Sequence, residues 1–262
     1  MLKNRLIPVL FLKNGFLVRS ELFSNHQKLG NPYAQVTRYN DWDVDELIYL
    51  DITREGNYEN RSDLGDVKNL QTYEEIIKEV SSKCFMPLTF GGGIKTIDDA
   101  RSRFELGSDK ITINSQAIKD PNFITQLAEE FGSQAIILSI DSKLTEDKIN
   151  KVFTEWGSKE TNLKTVDWAR ECQERGAGEI LINSIDRDGT AEGYDINLIK
   201  SITEVTSIPI IACGGVGRYK DFITGIVEGK ASAVAAGNFF NFKELAYPIA
   251  KNELKKNGLN FR

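Results

Sequence analysis

Gln134 to Lys143, which reads QAIILSIDSK, is the stretch that decides the fold of this chain. Its run of branched apolar residues is typical of a β-strand that is buried on both faces, and such strands belong to parallel sheets covered by helices. The apolar run ends abruptly at Ile140 and Asp141, so a carboxylate is predicted at the carboxyl end of the strand. In parallel α/β folds, that end binds ligands and carries catalytic side chains.

The same design of apolar strand, polar or glycine-rich turn and amphipathic helix repeats along the chain. The predicted strands are Arg5–Phe11, Glu46–Asp51, Met86–Phe90, Lys110–Asn114, Ala135–Asp141, Glu179–Asn183, Ile208–Cys213 and Ala233–Ala236. The predicted helices are Tyr33–Trp42, Tyr73–Ser82, Ile97–Leu106, Asn122–Phe131, Val166–Arg175, Ile196–Thr203, Lys220–Glu228 and Phe242–Lys255. This alternation within 262 residues favours a closed (βα)8 barrel, or TIM barrel, over an open doubly wound sheet. No low-complexity linker interrupts it, so residues 1–262 are predicted to form a single domain.

The two halves of the chain also resemble each other faintly. The segment IYLDITR, Ile48–Arg54, resembles INSIDRD, Ile182–Asp188. Each is followed by a helical segment and then by a strand that ends in glycines, Gly91–Gly93 in the first half and Gly214–Gly215 in the second. This repeat predicts two half-barrels of four units, with two related ligand-binding edges.

Composition excludes several classes of function. A formal net charge of -5 and a sequence pI of about 5.2 argue against nucleic acid as a partner. The amino terminus is too short and too soon polar for a signal peptide, and no apolar run is long enough to span a bilayer, so a cytoplasmic protein without a membrane partner is expected. Cys84, Cys172 and Cys213 are far apart and odd in number, which favours buried free thiols. Because His26 is the only histidine, a zinc cluster and a histidine-based triad are excluded, and we expect neither a metal ion nor a cofactor.

Three long connections follow predicted strands. They are Lys13–Asn31, Arg54–Gln71 and Leu144–Lys164, and within the third Val152–Thr154 is expected to belong to a small strand pair. Long loops at the catalytic face are often lids, and a solvated decoration is the open alternative.

Glycines at the ends of successive predicted strands indicate phosphate binding. Glycines let backbone N–H groups approach an anion at the start of a helix, although a single glycine pair usually marks only a turn. The first predicted edge consists of Gly92, Gly93, Asn114 and Ser115, and the second of Gly189, Thr190, Gly214, Gly215, Gly237 and Asn238. The recurrence in both halves predicts two phosphate sites, one at each edge.

Four carboxylates stand at or just beyond the ends of predicted strands: Asp51, Asp141, Asp186 and Asp188. A carboxylate in a partly desolvated barrel mouth has a raised pKa and can act as a general acid or base. Asp141 is the predicted catalytic residue because it ends the most apolar strand. For the other three, capping a helix or binding loop amides is the open alternative.

A second charged set lies at the opposite ends of the strands. Its members, Arg5, Glu46, Lys110 and Glu179, each stand at the amino-terminal end of a predicted strand and have balanced charge. Both a structural ring of salt bridges and a polar constriction in the barrel axis fit this placement.

Motifs spread over the whole chain resemble the cyclase subunit of imidazole glycerol phosphate synthase (HisF). They are ELIYLDIT, FGGGI, SDKITINS, FGSQAIILSIDSK, GAGEILINSIDRDGT, GYD and IPIIACGG. The resemblance implies a (βα)8 barrel that takes ammonia from a separate glutaminase docked at its bottom. The ammonia would pass through the barrel and react at the top with a bisphosphorylated ribosyl substrate. In histidine biosynthesis this reaction releases imidazole glycerol phosphate and an aminoimidazole carboxamide ribotide.

The resemblance also implies roles for individual residues. The polar gate of the family corresponds to Arg5, Glu46, Lys110 and Glu179, and one of its two catalytic aspartates corresponds to Asp141. Arg19 stands in place of the family's lid lysine, and we assign it to the substrate-binding set together with Asp51 and Asp188.

The second catalytic aspartate is absent. Where the family has a CLDVKDG-like first strand, this chain reads VLFLKNG, Val9–Gly15, which places Phe11 at the aspartate position and predicts that Phe11 faces Asp141 at the barrel mouth. Because phenylalanine cannot transfer a proton, three interpretations stay open. The first is the cyclase reaction, with Asp141 alone or helped by another group. The second is a specialised relative that supplies ammonia for another amidation, such as an amidino group on a bacterial surface sugar. The third is a non-catalytic module that regulates the glutaminase.

Overall fold

Eight parallel strands close into a ring in the computed structural model, which describes residues 3–54, 70, 72–241 and 244–262. The strands of the described residues are β1 (Arg5–Lys13), β2 (Phe16–Glu21), β3 (Asn25–Gly30), β4 (Leu47–Asp51), β5 (Leu88–Gly91), β6 (Lys110–Ile113), β7 (Ile136–Leu144), β8 (Asn150–Thr154), β9 (Lys159–Lys164), β10 (Glu179–Ser184), β11 (Ile210–Cys213) and β12 (Ala233–Ala236). The ring order is β1-β4-β5-β6-β7-β10-β11-β12, and it closes because β12 pairs with β1, with Arg5 opposite Ala233. The predicted TIM barrel is therefore confirmed.

Helices connect the ring strands and cover the outside of the barrel. They are α1 (Ala34–Asp41), α2 (Tyr73–Ser81), α3 (Ile97–Glu105), α4 (Ser115–Lys119), α5 (Asn122–Phe131), α6 (Thr165–Glu174), α7 (Ile196–Thr203), α8 (Tyr219–Val227), α9 (Asn238–Asn241) and α10 (Ala246–Lys256). Local signals position them; for example, Thr72 and Glu75 form a capping box at the start of α2. None of the helices described is long and apolar enough to cross a bilayer.

The apolar strands have two buried faces, as their composition predicts. Inside the barrel, side chains such as Ile7, Ile48 and Ile211 form one cluster. The alternate side chains of the same strands, such as Leu6 and Tyr49, pack against the helices in a larger cluster. This alternation follows from the two-residue period of a strand. At each end of a ring strand, the last inward-facing side chain lies beyond the apolar interior. These side chains are therefore the candidates for catalysis or binding.

The connection Lys13–Asn31 is not the polar loop that the sequence was expected to form. Phe11 to Lys13, at the end of β1, pair with β2 on the edge that β12 leaves open, and β2 pairs with β3. Asn14 and Gly15 have φ of 51° and 79°, and an Asn-Gly pair between apolar runs is a strong signal for a tight hairpin turn. The β2–β3 hairpin thus rises from the mouth of the barrel.

The other two long connections have different outcomes. In Leu144–Lys164, the expected strand pair at Val152–Thr154 is confirmed as β8 and β9. Of Arg54–Gln71, only Arg54 and Leu70 belong to the described residues, and the rest of that prediction lies outside them.

Several predicted boundaries need correction. β5 and β11 begin two residues later than predicted, after Pro87 and Pro209, which lack the N–H that a ladder requires. The sequence did not predict α4 or α9. The first two residues of the predicted helix Phe242–Lys255 lie outside the described residues, and α10 begins only at Ala246.

Candidate active site

The four charged residues predicted at the bottom of the barrel meet in one cluster. Arg5 donates from Nη1 to Glu46 Oε2 at 2.6 Å and to Glu179 Oε2 at 3.2 Å, and its Nη2 also pairs with Glu179. Lys110 Nζ donates to Glu46 Oε1 at 2.9 Å and to Glu179 Oε2 at 3.1 Å. Glu46 is 1% exposed and Glu179 is 5% exposed. Each cation therefore bridges both buried carboxylates across the amino-terminal ends of the strands.

The electrostatics of this cluster keep its members charged. Burial works to raise the pKa of Glu46, but the neighbouring charges of Arg5 and Lys110 hold that pKa below its ordinary value. Burial likewise disfavours the guanidinium of Arg5, while the bonds to Glu179 and Glu46 raise its pKa. A buried pair with all its partners in place is tolerated because the ions compensate one another. The lower end of the barrel is thus closed by paired charges.

Asp141 lies at the opposite end, on the inner face of β7 at the mouth. Asn114 Nδ2 donates to Asp141 Oδ2 at 2.8 Å, and Asn183 lies in register beside it on β10. Desolvation raises the pKa of Asp141 to about 7, the charge of Asp188 adds to the rise, and hydrogen bonds from Asn114 and Asn183 oppose it. A carboxyl group with this pKa exchanges a proton readily at neutral pH, which is what a general acid or base requires.

Asp188 is buried beneath the β2–β3 hairpin. Its Oδ2 accepts from Ser20 Oγ at 2.7 Å and from the Phe23 N–H at 3.1 Å, and its backbone carbonyl accepts from the Leu22 N–H at 3.0 Å. Burial raises the pKa of Asp188, the bonds from Ser20 and Phe23 lower it, and the charge of Glu21 raises it further. The loop after β10 is thereby fastened to the hairpin.

A cavity of ≈ 240 Å³ opens at the mouth beside Asp188. The residues around it are Phe11, Arg19, Asp188, Gly189, Ala191, Cys213, Gly214, Gly215, Val216, Gly217, Ala236, Gly237, Asn238 and Phe239. All members of the second predicted phosphate edge except Thr190 are among them. Thr190 instead donates its hydroxyl to Arg187 O at 2.9 Å within the turn.

Glycine is required at this cavity for steric reasons. Gly214 and Gly215 have φ of +94° and +99°, and a Cβ at Gly215 would lie 2.3 Å from the carbonyl oxygen of Gly193. Arg19 supplies a positive charge at the wall and also pairs with Glu21 at 3.0 Å. Backbone dipoles next to a cation are suited to an anion such as phosphate.

At the first predicted edge, the two glycines differ in how closely they are packed. Gly92 approaches the backbone of Asp51 so closely that a Cβ would lie 2.2 Å from its carbonyl oxygen, while Gly93 faces open space. Asp51 accepts a hydrogen bond from the Thr53 N–H at 2.9 Å. It therefore binds a loop amide, as in the alternative role that the sequence left open for this carboxylate. Asp186 similarly accepts from the Leu144 N–H at 2.8 Å. Ser115 begins α4 directly after Asn114, so the edge lies next to Asp141.

Phe11 lies at the mouth on β1, which is four strands from β7 in either direction around the ring. It is 7% exposed and lines the cavity together with Asp188. The mouth therefore has an apolar wall on the side opposite Asp141.

Sequence reasoning missed two residues of the mouth, Asn183 and Cys213. Both point inward because they lie two residues beyond the interior positions Leu181 and Ile211. The side-chain oxygens of Asn183 and Asn114 are buried and have no hydrogen-bond partner among the residues described, so they are available as acceptors for a ligand. Counting inward positions from Glu179 along its strand would have found Asn183.

Comparison with known proteins gives a consistent result. Residues 5–246 match the model of the family described as "Histidine biosynthesis protein". Proteins from Alkaliphilus metalliredigens and a Hydrogenobaculum species are each 40% identical to this chain, and one from Natranaerobius thermophilus is 38% identical. Each match extends over 262 residues and covers the whole of both chains, and each of these relatives is named imidazole glycerol phosphate synthase subunit HisF.

Proposed function

This chain belongs to the HisF family of histidine biosynthesis proteins, and from that premise we propose that it is the cyclase subunit of an imidazole glycerol phosphate synthase. The observation that carries the proposal is Asp141, a carboxyl group with a pKa of about 7 at the mouth of the barrel. Its substrate would be the bisphosphorylated ribosyl compound of the histidine pathway, and its second reactant would be ammonia.

The mouth offers what such a reaction needs. Ammonia that bonds to a substrate carbon must lose a proton, and the nitrogen that departs when the products separate must gain one. Asp141 can accept and return protons near neutral pH. The cavity with Arg19, Gly214 and Gly215 would hold one phosphate, and the edge at Gly93 and Ser115 would hold the other.

The cluster of Arg5, Glu46, Lys110 and Glu179 would be the entry point for ammonia at the bottom of the barrel. A glutaminase subunit docked there would release ammonia into the axis instead of into solvent. Within this proposal the four side chains must rearrange, because their ion pairs span the axis.

The thiols of this chain support the need for such a partner. Hydrolysis of glutamine by the covalent route requires an activated nucleophile. Burial raises the pKa of Cys84 and of Cys172, and it raises that of Cys213 to about 12. The purified chain should therefore turn over substrate with an ammonium salt and fail with glutamine alone. Glutamine-dependent turnover without a partner would contradict this assignment.

A second candidate function is the supply of ammonia for a different amidation. It is favoured by Phe11, which leaves an apolar side chain where the family has a catalytic aspartate. Proton transfer by a positioned group is typically worth about 10²–10⁴-fold in rate, so the loss of one such group is measurable.

Ammonia-dependent turnover of the bisphosphorylated ribosyl substrate distinguishes the two functions. The cyclase proposal expects turnover by the wild-type protein, and Phe11→Asp shows whether a second carboxylate is missing. Phe11→Asn is the matched control, because asparagine has nearly the same shape as aspartate but cannot transfer a proton. Turnover confined to Phe11→Asp would refute the cyclase proposal and favour the other amidation.

A further inference from the structure

Three titratable side chains converge at the mouth from neighbouring parts of the ring. Asp141 on β7 and Cys213 on β11 each lie in register with Asn183 on the intervening β10, and all three face inward. Asp188 follows β10 and lines the cavity with Cys213 and Phe11. Together they bring two carboxyl groups and one thiol to this side of the mouth, although Phe11 removes the carboxyl group expected on β1.

These groups lie close enough to influence one another. The charge of Asp188 contributes to the raised pKa of Asp141, and the charges of both carboxylates contribute to the raised pKa of Cys213. With a pKa of about 12, Cys213 stays protonated at neutral pH and does not act as a base. Of these three groups, the two carboxyl groups are therefore the candidates for proton exchange.

The hairpin above Asp188 brings two charged side chains, Arg19 and Glu21, close to it. Arg19 lines the same cavity and pairs with Glu21 at 3.0 Å, and the charge of Glu21 adds to the effect of burial in raising the pKa of Asp188. The Ser20 hydroxyl and the Phe23 N–H stabilise the ionised form of Asp188, whereas burial favours the protonated form. Burial outweighs these two bonds, so the pKa of Asp188 lies above its ordinary value.

We propose that Asp188 is the second proton-transfer group of this mouth, acting with Asp141 in place of the carboxylate that Phe11 replaces. The inference rests on the proposed cyclase function. One carboxylate takes the proton that ammonia loses as its nitrogen bonds to the substrate carbon. The other carboxyl group, in its acid form, gives a proton to the nitrogen of the departing product. This transfer occurs as the substrate's own carbon–nitrogen bond to that product breaks and its electron pair stays on the nitrogen. Return of one proton between the two carboxyl groups restores the starting state, so protons and electron pairs balance without a further reactant.

Asp188→Asn tests this assignment because asparagine keeps the shape and still accepts from Ser20 and Phe23. With ammonia as the nitrogen donor, we expect kcat to fall by about 10²–10⁴-fold and one limb of the pH–rate profile to disappear. Ser20→Ala is the matched control. It removes a hairpin bond to Asp188 but keeps the carboxyl group, so both limbs of the profile should remain.

Rescue separates proton transfer from hairpin positioning. The double variant Phe11→Asp/Asp188→Asn should regain turnover, because a carboxyl group then stands on the β1 wall, and Phe11→Asn/Asp188→Asn should not. Melting temperatures of all variants show whether each is folded. An unchanged pH profile in Asp188→Asn, or a loss that appears mainly in KM and is not rescued, would overturn the assignment.

A titration that needs no substrate distinguishes failure of this inference from failure of the cyclase proposal. The carbon-13 signal of the Asp141 carboxyl group should titrate at lower pH in Asp188→Asn than in the wild-type protein. An unmoved midpoint would overturn the pairing even in an active enzyme. A wild-type protein without turnover would refute the cyclase function, and it would refute the role of Asp188 in that reaction even if the two groups titrate together.

Discussion

Asp141→Asn should make the folded protein more stable while it abolishes turnover. Asparagine has nearly the same shape as aspartate, and its side-chain oxygen can still accept from Asn114 Nδ2, which lies 2.8 Å from Asp141 Oδ2. What the substitution removes is an acid that the mouth holds with a pKa of about 7, against an ordinary value of 3.8.

The size of the effect follows from the difference between the two pKa values. Below about pH 4 the group is protonated in both the folded and the unfolded chain, and it costs nothing. Between pH 4 and pH 7 the unfolded chain releases its proton first, so the free energy of unfolding falls by about 1.4 kcal/mol per pH unit, or about 4 kcal/mol in all. The neutral amide accepts a weaker hydrogen bond, which costs about 1 kcal/mol. With the same hydrogen-bond cost at both ends of the pH range, we expect a net gain of about 3 kcal/mol at pH 8 and a net loss of about 1 kcal/mol at pH 4.

Urea denaturation from pH 4 to pH 8 measures this gain. Asp186→Asn is the control, because Asp186 is an exposed carboxylate beyond another strand end, where it accepts from the Leu144 N–H. Its stability change should stay within about 0.5 kcal/mol over the whole pH range, as for most surface substitutions. A gain in Asp141→Asn that does not grow with pH, or a variant less stable than the wild-type protein at pH 8, would refute the reasoning.

Two further substitutions test the ends of the barrel. Arg5→Ala leaves Glu46 and Glu179 buried with Lys110 as their remaining partner in the cluster, and it should lower the free energy of unfolding at pH 7 by about 3–5 kcal/mol in urea denaturation. The deficit should shrink as the pH falls below 4.5, the ordinary pKa of Glu46, because protonation of that carboxylate removes its ion pair with Arg5 in the wild-type protein. A loss below about 1 kcal/mol at pH 7 would contradict the prediction. Gly215→Ala forces a Cβ against the Gly193 carbonyl at φ +99°, and it should raise KM for the phosphorylated substrate at least tenfold, or about 1.4 kcal/mol. Gly258→Ala is the control for backbone strain alone, because Gly258 has φ +75° and an added Cβ would have nothing within 4 Å. An equal KM in the two variants would contradict the prediction.

The features that depend on local sequence could be predicted. The ring strands have continuous apolar runs because both of their faces are buried, so their order and approximate positions follow from the sequence. The charges of Arg5 and Lys110 were placed correctly because each begins such a run. The turn positions of Gly214 and Gly215 follow from the sequence because glycine suits a left-handed turn next to another backbone, while phosphate binding at this edge stays a prediction.

Features that depend on distant contacts could not be predicted in the same way. The influence of Asp188 on Asp141 requires that two separate strand ends meet across the mouth. The burial of Asp188 requires a hairpin that comes from near the start of the chain, and Ser20 gives no local sign of that contact. The hairpin turn itself was predictable from Asn14 and Gly15, but the polar residues of β3 favoured a loop.

The closure of the ring between β1 and β12 has a consequence for the order in which the protein is synthesised. Arg5 to Pro8 pair with β12, whereas β4 and β2 pair only with the part of β1 from Val9 onward. A growing chain thus exposes this apolar edge until nearly all of it has left the ribosome. Unpaired strand edges are templates for association with other chains. A chain stalled before Ala233 should therefore self-associate through β1, and binding of a chaperone to that edge should protect it until the last strand arrives.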